Sequence, residues 1–210
     1  MRASKYVIAF SLGFLGFLLP GCSTMPEQVI KPEDTSQSDA RVDFGDPVLN
    51  SRKIFLFGPI DRRAAEIVIQ KLQFLDGKGH APIDMFLETP GGDMKYGWAI
   101  QQTMSFIQSP VNTYALSECN SGGAMLLAAG TGRRCAFHDS VIVIHGLKLG
   151  SGNDKPPVDF VTDVQNNYTE FWRKRAKLPP DWLPLPFDSH RILTAEEALK
   201  YGIVDEIINR

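Results

Sequence analysis

The sequence has no excess of positive charge: 22 lysines and arginines stand against 24 aspartates and glutamates, a net charge of −2 over 210 residues. Nucleic-acid binding requires a basic patch, so we exclude that class. A phosphate-binding loop of the Gly-x-x-x-x-Gly-Lys type is also missing, and with it the usual signature of ATP binding. What remains is a chain that is 43% hydrophobic, which is typical of one globular domain with an ordinary core.

The first 22 residues have the pattern of a targeting signal. Arg2 and Lys5 supply positive charge, and the apolar run over residues 7–19 is too short for a comfortable membrane span. The run ends in Leu-Pro-Gly-Cys, which resembles a bacterial lipobox and implies cleavage before Cys22 and lipidation of its sulfur. Ser23 in the next position is typical of sorting to the outer membrane. An ordinary secretory signal and a retained anchor are the alternatives.

The chain therefore divides into three parts. Residues 1–21 form the predicted signal peptide. Residues 22–47 are rich in Pro, Ser, Asp, Glu and Gln, with few apolar residues, and this composition predicts a flexible tether. Residues 48–210 form the predicted globular domain.

Apolar runs of strand length alternate with helical patterns in this domain. We expect strands at residues 53–57, 83–88, 111–116, 134–137, 141–145 and 203–208, and helices at residues 62–75, 95–107, 124–129, 158–177 and 195–201. Such alternation predicts an α/β fold with a largely parallel sheet and right-handed crossovers.

Ser121 stands where a predicted strand turns into an apolar helical run, and Gly122 and Gly123 follow it. A strand–turn–helix context can lift a serine hydroxyl into a cleft, with the amides and the positive dipole end of the helix directed at the same place. Glycine, which has no Cβ, lets a substrate carbonyl approach the backbone closely. A serine before a helix is also a common N-cap, and that alternative stays open.

Five stretches together resemble the proteolytic subunit of the Clp protease, a serine peptidase of the ClpP/crotonase fold. They are residues 54–58 (IFLFG), 89–92 (TPGG), 121–130 (SGGAMLLAAG), 141–145 (VIVIH) and 191–205 (RILTAEEALKYGIVD). Their order and approximate spacing hold from residue 53 to the C-terminus. The resemblance implies a largely parallel sheet with β-β-α spiral units, and a handle helix at residues 158–177 that buries one face in its own chain or in an oligomer.

The resemblance also implies roles for individual residues. In this family the nucleophilic serine and its general base hold the positions of Ser121 and His145. A serine hydroxyl is a poor nucleophile until an imidazole accepts its proton. The Pro-Gly-Gly turn matches the oxyanion loop of the family, so the amides of Gly92 and Gly122 are the expected oxyanion hole. A structural core histidine and an ordinary turn are the alternatives.

The third member of the triad departs from the family pattern, because His190 stands where the family places an aspartate. A second imidazole can orient the first, or Asp188 can take over that role. Loss of the carboxylate weakens stabilisation of the imidazolium. A catalytically weakened scaffold or binding lipoprotein is therefore the main alternative, and an acyl-CoA enzyme of the crotonase type is another.

Two of the three cysteines remain once Cys22 is assigned to lipidation. Cys119 and Cys135 form an even pair in an oxidising compartment, where we expect a disulfide, with two buried free thiols as the alternative.

The sequence thus predicts a serine endopeptidase that acts on peptides or unfolded proteins and needs neither a metal nor a cofactor. We expect a homo-oligomeric lipoprotein that faces the periplasm, anchored in the outer membrane. Since the periplasm lacks ATP, its activity should be independent of ATP and no ATPase partner is expected.

Overall fold

Strand pairing organises the fold, which a computed structural model describes over residues 43–147, 158–185 and 189–209. The described strands are β1 (Lys53–Phe57), β2 (Ile83–Thr89), β3 (Val111–Asn120), β4 (Arg134–Phe137), β5 (Val141–His145), β6 (His190–Thr194) and β7 (Glu206–Ile208). The described helices are α1 (Pro47–Asn50), α2 (Arg62–Gly77), α3 (Met94–Phe106), α4 (Gly122–Ala129), α5 (Val158–Arg175) and α6 (Ala195–Lys200). A short 3₁₀ turn covers Pro180–Trp182.

Five strands lie side by side in the order β1-β2-β3-β4-β7, and each neighbouring pair is parallel. Strand β3 is shared between two partners: residues 113–115 pair with β4, and residues 118–120 pair with β5. Strand β6 then pairs antiparallel with β5. The expected α/β fold with a largely parallel sheet is confirmed.

Capping side chains set where the helices begin. The carboxylate of Asp61 accepts a hydrogen bond from the amide of Ala64 at 2.8 Å and so starts α2. Thr194 and Glu197 exchange hydrogen bonds in a capping box at the start of α6. Both caps satisfy amides that the first turn of a helix leaves without partners.

Helix α4 lies inside the core, since all eight of its residues are buried. Its sequence, Gly-Gly-Ala-Met-Leu-Leu-Ala-Ala, offers no polar face for solvent, as expected for a helix covered on every side. The buried position of α4 fixes the residue that precedes it, Ser121, against the rest of the domain.

Helix α5 buries its C-terminal half in its own chain. Tyr168 and Trp172 are almost completely buried, and Phe171 is 8% exposed. The indole of Trp172 meets the rings of Tyr168 and Phe171 edge-on, at centroid distances of 6.0 and 5.4 Å. Within the residues described here, the predicted handle helix therefore packs against the domain that carries it.

The predicted disulfide is wrong: Cys119 and Cys135 are both buried free thiols. Cys135 pairs with Tyr114 in the β3–β4 register, and Cys119 lies five residues further along β3. At a rise of roughly 3.3 Å per residue, this offset separates the two cysteines by about 16 Å, too far for a disulfide. Burial raises the pKa of both thiols, so both stay protonated.

The predicted signal peptide, the lipidation site Cys22 and nearly all of the predicted tether lie outside the described residues. Among the described residues, Asp46 caps α1, which begins at Pro47. In the parts of the chain that are described, no helix combines the length and the apolar character needed to cross a lipid bilayer.

Candidate active site

A cavity of about 1100 Å³ opens where β3 and β5 end, and both Ser121 and His145 line it. Residues of α3 and of α5 form much of its wall. The apolar part of these walls includes Trp98 and Phe171, whose rings meet edge-on at a centroid distance of 5.7 Å. The cavity is large enough to bury several residues of an extended peptide.

Ser121 adopts a backbone conformation that non-glycine residues rarely take, with φ of 55° and ψ of −117°. Its amide donates to the carbonyl of Val143 at 2.7 Å, and its own carbonyl accepts from the amide of Met125 at 3.1 Å. The bonds on both sides hold the turn in place, and such enforced conformations concentrate at functional sites. Although Ser121 holds the N-cap position, its side chain makes no capping hydrogen bond. The hydroxyl is therefore not used as a helix cap.

The Pro-Gly-Gly loop is fastened to the segment that precedes α2. The amide of Ile60 donates to the carbonyl of Gly91 at 2.8 Å, and the amide of Asp93 donates to the carbonyl of Ile60 at 2.9 Å. A Cβ on Gly92 would lie 2.2 Å from the oxygen of Ile60, so this approach requires glycine. Gly91 has φ of 90°, and a Cβ there would meet the Cβ of Ser121 at 2.7 Å.

Two main-chain amides lie close to each other beside Ser121. Among the described residues, neither the amide of Gly92 nor that of Gly122 donates a hydrogen bond within the protein. A Cβ on Gly122 would lie 3.8 Å from the nitrogen of Gly92, so the two amides are neighbours. Two free donors beside a serine hydroxyl form the kind of site that stabilises a developing oxyanion.

His145 ends β5, close to Ser121 because Val143 of the same strand accepts the Ser121 amide. Its Nδ1 lies 2.6 Å from the carbonyl oxygen of Gly146. A carbonyl oxygen only accepts, so Nδ1 carries the proton and Nε2 is left as an acceptor. This tautomer is the one a general base needs. In the described residues no direct hydrogen bond joins Ser121 to His145, and such bonds often tighten only when substrate binds.

His190 opens β6 directly opposite His145 in the antiparallel pair. The two rings have centroids 5.0 Å apart and planes inclined by 41°. The contact is a ring contact, and the Nδ1 proton of His145 goes to Gly146 instead. The other predicted third member, Asp188, lies outside the described residues. The carbonyl of Gly146 thus occupies the orienting position that the sequence prediction gave to a side chain.

Tyr168 supports His145 from the side of α5. Its hydroxyl donates to the main-chain carbonyl of His145 at 3.1 Å, and burial raises the pKa of Tyr168 to about 12. The hydroxyl therefore keeps its proton and remains a donor throughout the physiological pH range. This link joins the helix that walls the cavity to the strand that carries the imidazole.

Sequence reasoning missed Tyr168 as a support and missed the residues of α3 that wall the cavity. Met94, Trp98, Gln101 and Gln102 line the cavity from α3. Their spacing of four, three and one residues places them on one helical face, so this face could have been found from the sequence. The Tyr168 bond could not, because a hydroxyl bonded to a distant main-chain carbonyl leaves no sequence pattern.

Among the described residues, the site brings together a serine on an enforced turn, an imidazole whose Nε2 makes no hydrogen bond and two amides without a partner, on a largely parallel α/β sheet. These are the components that a serine hydrolase requires. In the described residues, no group of three or more His, Cys, Asp or Glu side chains is arranged to hold a metal ion.

Comparison with known proteins agrees with this class. The Clp protease family profile matches residues 36–210. The chain is also 30% identical over 184 residues to the ATP-dependent Clp protease proteolytic subunit of Deinococcus radiodurans, covering 85% of this chain and 90% of that protein. The chain therefore belongs to the Clp protease family.

Proposed function

We propose that this protein is a serine endopeptidase that cleaves peptides or unfolded protein segments, with Ser121 as nucleophile and His145 as general base. The observation that carries the proposal is the Ser121 hydroxyl, which makes no hydrogen bond with the described residues. It shares a cavity with His145 and adjoins the amides of Gly92 and Gly122, which have no partner in the same part of the chain. Family membership supports the same reaction class.

The reaction follows from these positions. Nε2 of His145 takes the proton of Ser121 as Oγ attacks the substrate carbonyl, and the amides of Gly92 and Gly122 bind the resulting oxyanion. His145 then gives the proton to the leaving amine, and water completes the cycle by attacking the acyl-enzyme. One oxyanion donor typically contributes roughly 3 kcal/mol to lowering the barrier.

A serine-directed phosphonate probe tests the proposal. We expect labelling at Ser121 alone, and no labelling of Ser121→Ala or His145→Ala. The double variant should be little worse than either single variant in peptide cleavage, because members of such a unit are not additive. A pure wild-type protein that neither takes up the probe nor cleaves any peptide would contradict the proposal.

The second candidate is a scaffold or binding protein that has kept the fold and lost the chemistry. Its support is that a carbonyl, rather than a carboxylate, accepts the Nδ1 proton of His145. A carbonyl carries no full negative charge and stabilises an imidazolium less than a carboxylate does. This candidate predicts a folded protein that binds peptides without reacting with the probe.

We further propose that the mature protein is a lipoprotein of the cell envelope, attached through Cys22 and facing the periplasm from the outer membrane. The support is the N-terminal pattern, in which positively charged residues are followed by a short apolar run that ends in Leu-Pro-Gly-Cys. Fractionation of Cys22→Ser is the test: if this variant is processed normally and stays with the membrane, the assignment is wrong.

Activity without ATP belongs to the same proposal. The sequence has no phosphate-binding loop, and the periplasm supplies no ATP. We expect the purified protein to cleave an unstructured peptide equally well with and without nucleotide, and to leave a folded protein intact. We also infer that it assembles into homo-oligomers, as its family membership suggests, which sedimentation velocity measures directly.

A further inference from the structure

The active-site cavity is lined by residues that lie near both ends of helix α4. Ser121 lies immediately before the first residue of α4, and the guanidinium of Arg175 donates to the carbonyl of Gly130, immediately after the last, at 3.4 Å. Ser121 and Arg175 both line the cavity. Ser121 and Gly130 are nine residues apart, which is about 13 Å at a helical rise of 1.5 Å per residue, so the same cavity contains the serine and a guanidinium roughly that far away.

The far end of the cavity carries unpaired positive charge. Two other lining charges are already neutralised: Lys95 pairs with Asp93 at 3.2 Å, and Glu170 pairs with Arg173 at 2.5 Å. Lys174 and Arg175 also line the cavity, and neither makes an ion pair within the described parts of the chain. Arg175 uses one of its five N–H donors to bond the Gly130 carbonyl, and the other donors can bond a ligand.

We propose that Lys174 and Arg175 form a subsite for a carboxylate of the peptide substrate. Arg175 is half-buried and Lys174 is exposed, so the guanidinium supplies a directed hydrogen bond and the ammonium adds positive charge at the cavity mouth. The subsite rests on the proposed peptidase function, because its ligand is part of the chain that Ser121 cleaves.

The geometry also sets the position of the carboxylate in the substrate. An extended peptide rises about 3.3 Å per residue, so about 13 Å corresponds to roughly four residues. The favoured peptide thus carries a carboxylate about four residues from the bond that is cleaved. This carboxylate is either the C-terminus of the peptide or the side chain of an aspartate or glutamate.

A series of fluorogenic peptides separates these two sources. One arm compares a free C-terminus with its amide, placed two, four or six residues after the cleaved bond. The other arm compares glutamate with glutamine at the same distances in amidated peptides. We expect a preference of roughly tenfold in kcat/KM at four residues and little at two or six, the scale of one charge-assisted hydrogen bond. The preference should shrink in 0.5 M salt.

Variants connect the preference to the two residues. In Arg175→Met and in Lys174→Met, the ratio of kcat/KM for the carboxylate peptide to kcat/KM for the neutral peptide should fall towards one. Both peptides are measured on the same variant, so a change in overall activity cancels from the ratio. Lys177→Met is the matched control, since it removes one exposed positive charge from the same segment at a residue that does not line the cavity. Its ratio should equal that of the wild type.

A binding measurement tests the subsite independently of catalysis. Fluorescence anisotropy with Ser121→Ala measures the affinity for the same peptides, and we expect the carboxylate peptide to bind roughly tenfold more tightly than its amide. Equal cleavage and equal binding of both peptides would overturn the subsite and leave the peptidase standing. Preferential binding by a protein that never cleaves or reacts would overturn the peptidase and leave the subsite standing.

Discussion

The imidazoles of His145 and His190 face each other across the β5–β6 pair, with centroids 5.0 Å apart. The sequence predicted that His190 replaces a triad aspartate, yet His190 contacts His145 through its ring while the Gly146 carbonyl takes the Nδ1 proton. Two groups therefore contact the His145 ring and can orient it: a main-chain oxygen and a tilted imidazole.

The first prediction concerns this division. His190→Ala should slow phosphonate labelling of Ser121 by about tenfold, because the ring of His145 loses its neighbour while Gly146 still fixes its tautomer. Ile192→Ala, which alters a residue 70% exposed on the same strand, is the control and should label at the wild-type rate. His190→Asp should hold or raise the rate, as a carboxylate stabilises the imidazolium better than a carbonyl. Equal rates for His190→Ala and the wild type would remove His190 from the site.

The second prediction concerns the oxyanion loop. Gly92→Ala should lower the labelling rate by roughly 10²–10³, the usual effect of losing one oxyanion donor, because its Cβ would meet the Ile60 oxygen at 2.2 Å. Gly122→Ala should cost much less, since its Cβ would meet the flexible end of Ile60 at 3.3 Å. Circular dichroism on both variants checks that the fold is retained. Similar losses in both variants would argue against a specific role for the Gly92 amide.

The third prediction concerns the link from α5 to the base. Tyr168→Phe removes the hydroxyl that donates to the His145 carbonyl, and a buried carbonyl left without its partner shifts or becomes mobile. We expect kcat to fall about tenfold with little change in KM. Tyr114→Phe is the matched control, as it removes a hydroxyl bonded to Asp84 at 3.2 Å on another part of the sheet. A change in thermal stability without a change in kcat would make Tyr168 purely structural.

The fourth prediction concerns stability and pH. Burial raises the pKa of Asp76, but hydrogen bonds from Ser109 and His80 outweigh it and lower the pKa to about 2. An aspartate in an unfolded chain has a pKa of about 3.9. The folded state therefore binds the proton more weakly, and the stabilisation by Asp76 is complete above about pH 4 and is lost as the pH falls towards 2.

Urea unfolding of Asp76→Asn measures this contribution. The variant should be less stable than the wild type by about 1–3 kcal/mol at pH 7, and the difference should shrink between pH 4 and pH 2. Asp163→Asn, which alters an exposed aspartate of α5, is the control. A difference between Asp76→Asn and the wild type that does not change with pH would contradict the assignment.

The sequence predicted much of this fold because its signals were local. Strands β1, β4 and β5 begin and end where their apolar runs do, and the start of α2 follows from the capping of Asp61. Strand β6 was not predicted, because the five residues that begin at His190 form a strand through their pairing with β5. That pairing also decides what His190 contacts, so the prediction of its role in orienting His145 could not include the geometry.

The register between neighbouring strands could not be predicted from the sequence either. The prediction of a disulfide relied on an even pair of cysteines, and the strands that carry them, β3 and β4, are neighbours. Their alignment places Cys135 beside Tyr114 instead of Cys119. Sequence spacing shows that two strands are close in the chain, and only the hydrogen-bonded ladder shows which residues are opposite. The roles of Ser121, His145, Gly92 and Gly122 in catalysis stay predictions.

Strand β3 pairs with β4 along one part and with β5 along another, and this sharing has a consequence for folding. The groups of the site come from three separate segments, around Gly92, Ser121 and His145. Parallel strand pairing brings these segments together, and such pairing forms slowly because the paired residues are far apart in the chain. A newly made chain that has formed only β1 to β4 contains Ser121 but has not yet placed His145 beside it. The two proposed catalytic side chains meet only once β5 has paired with β3, so a chain in which β5 is unpaired lacks the proposed site.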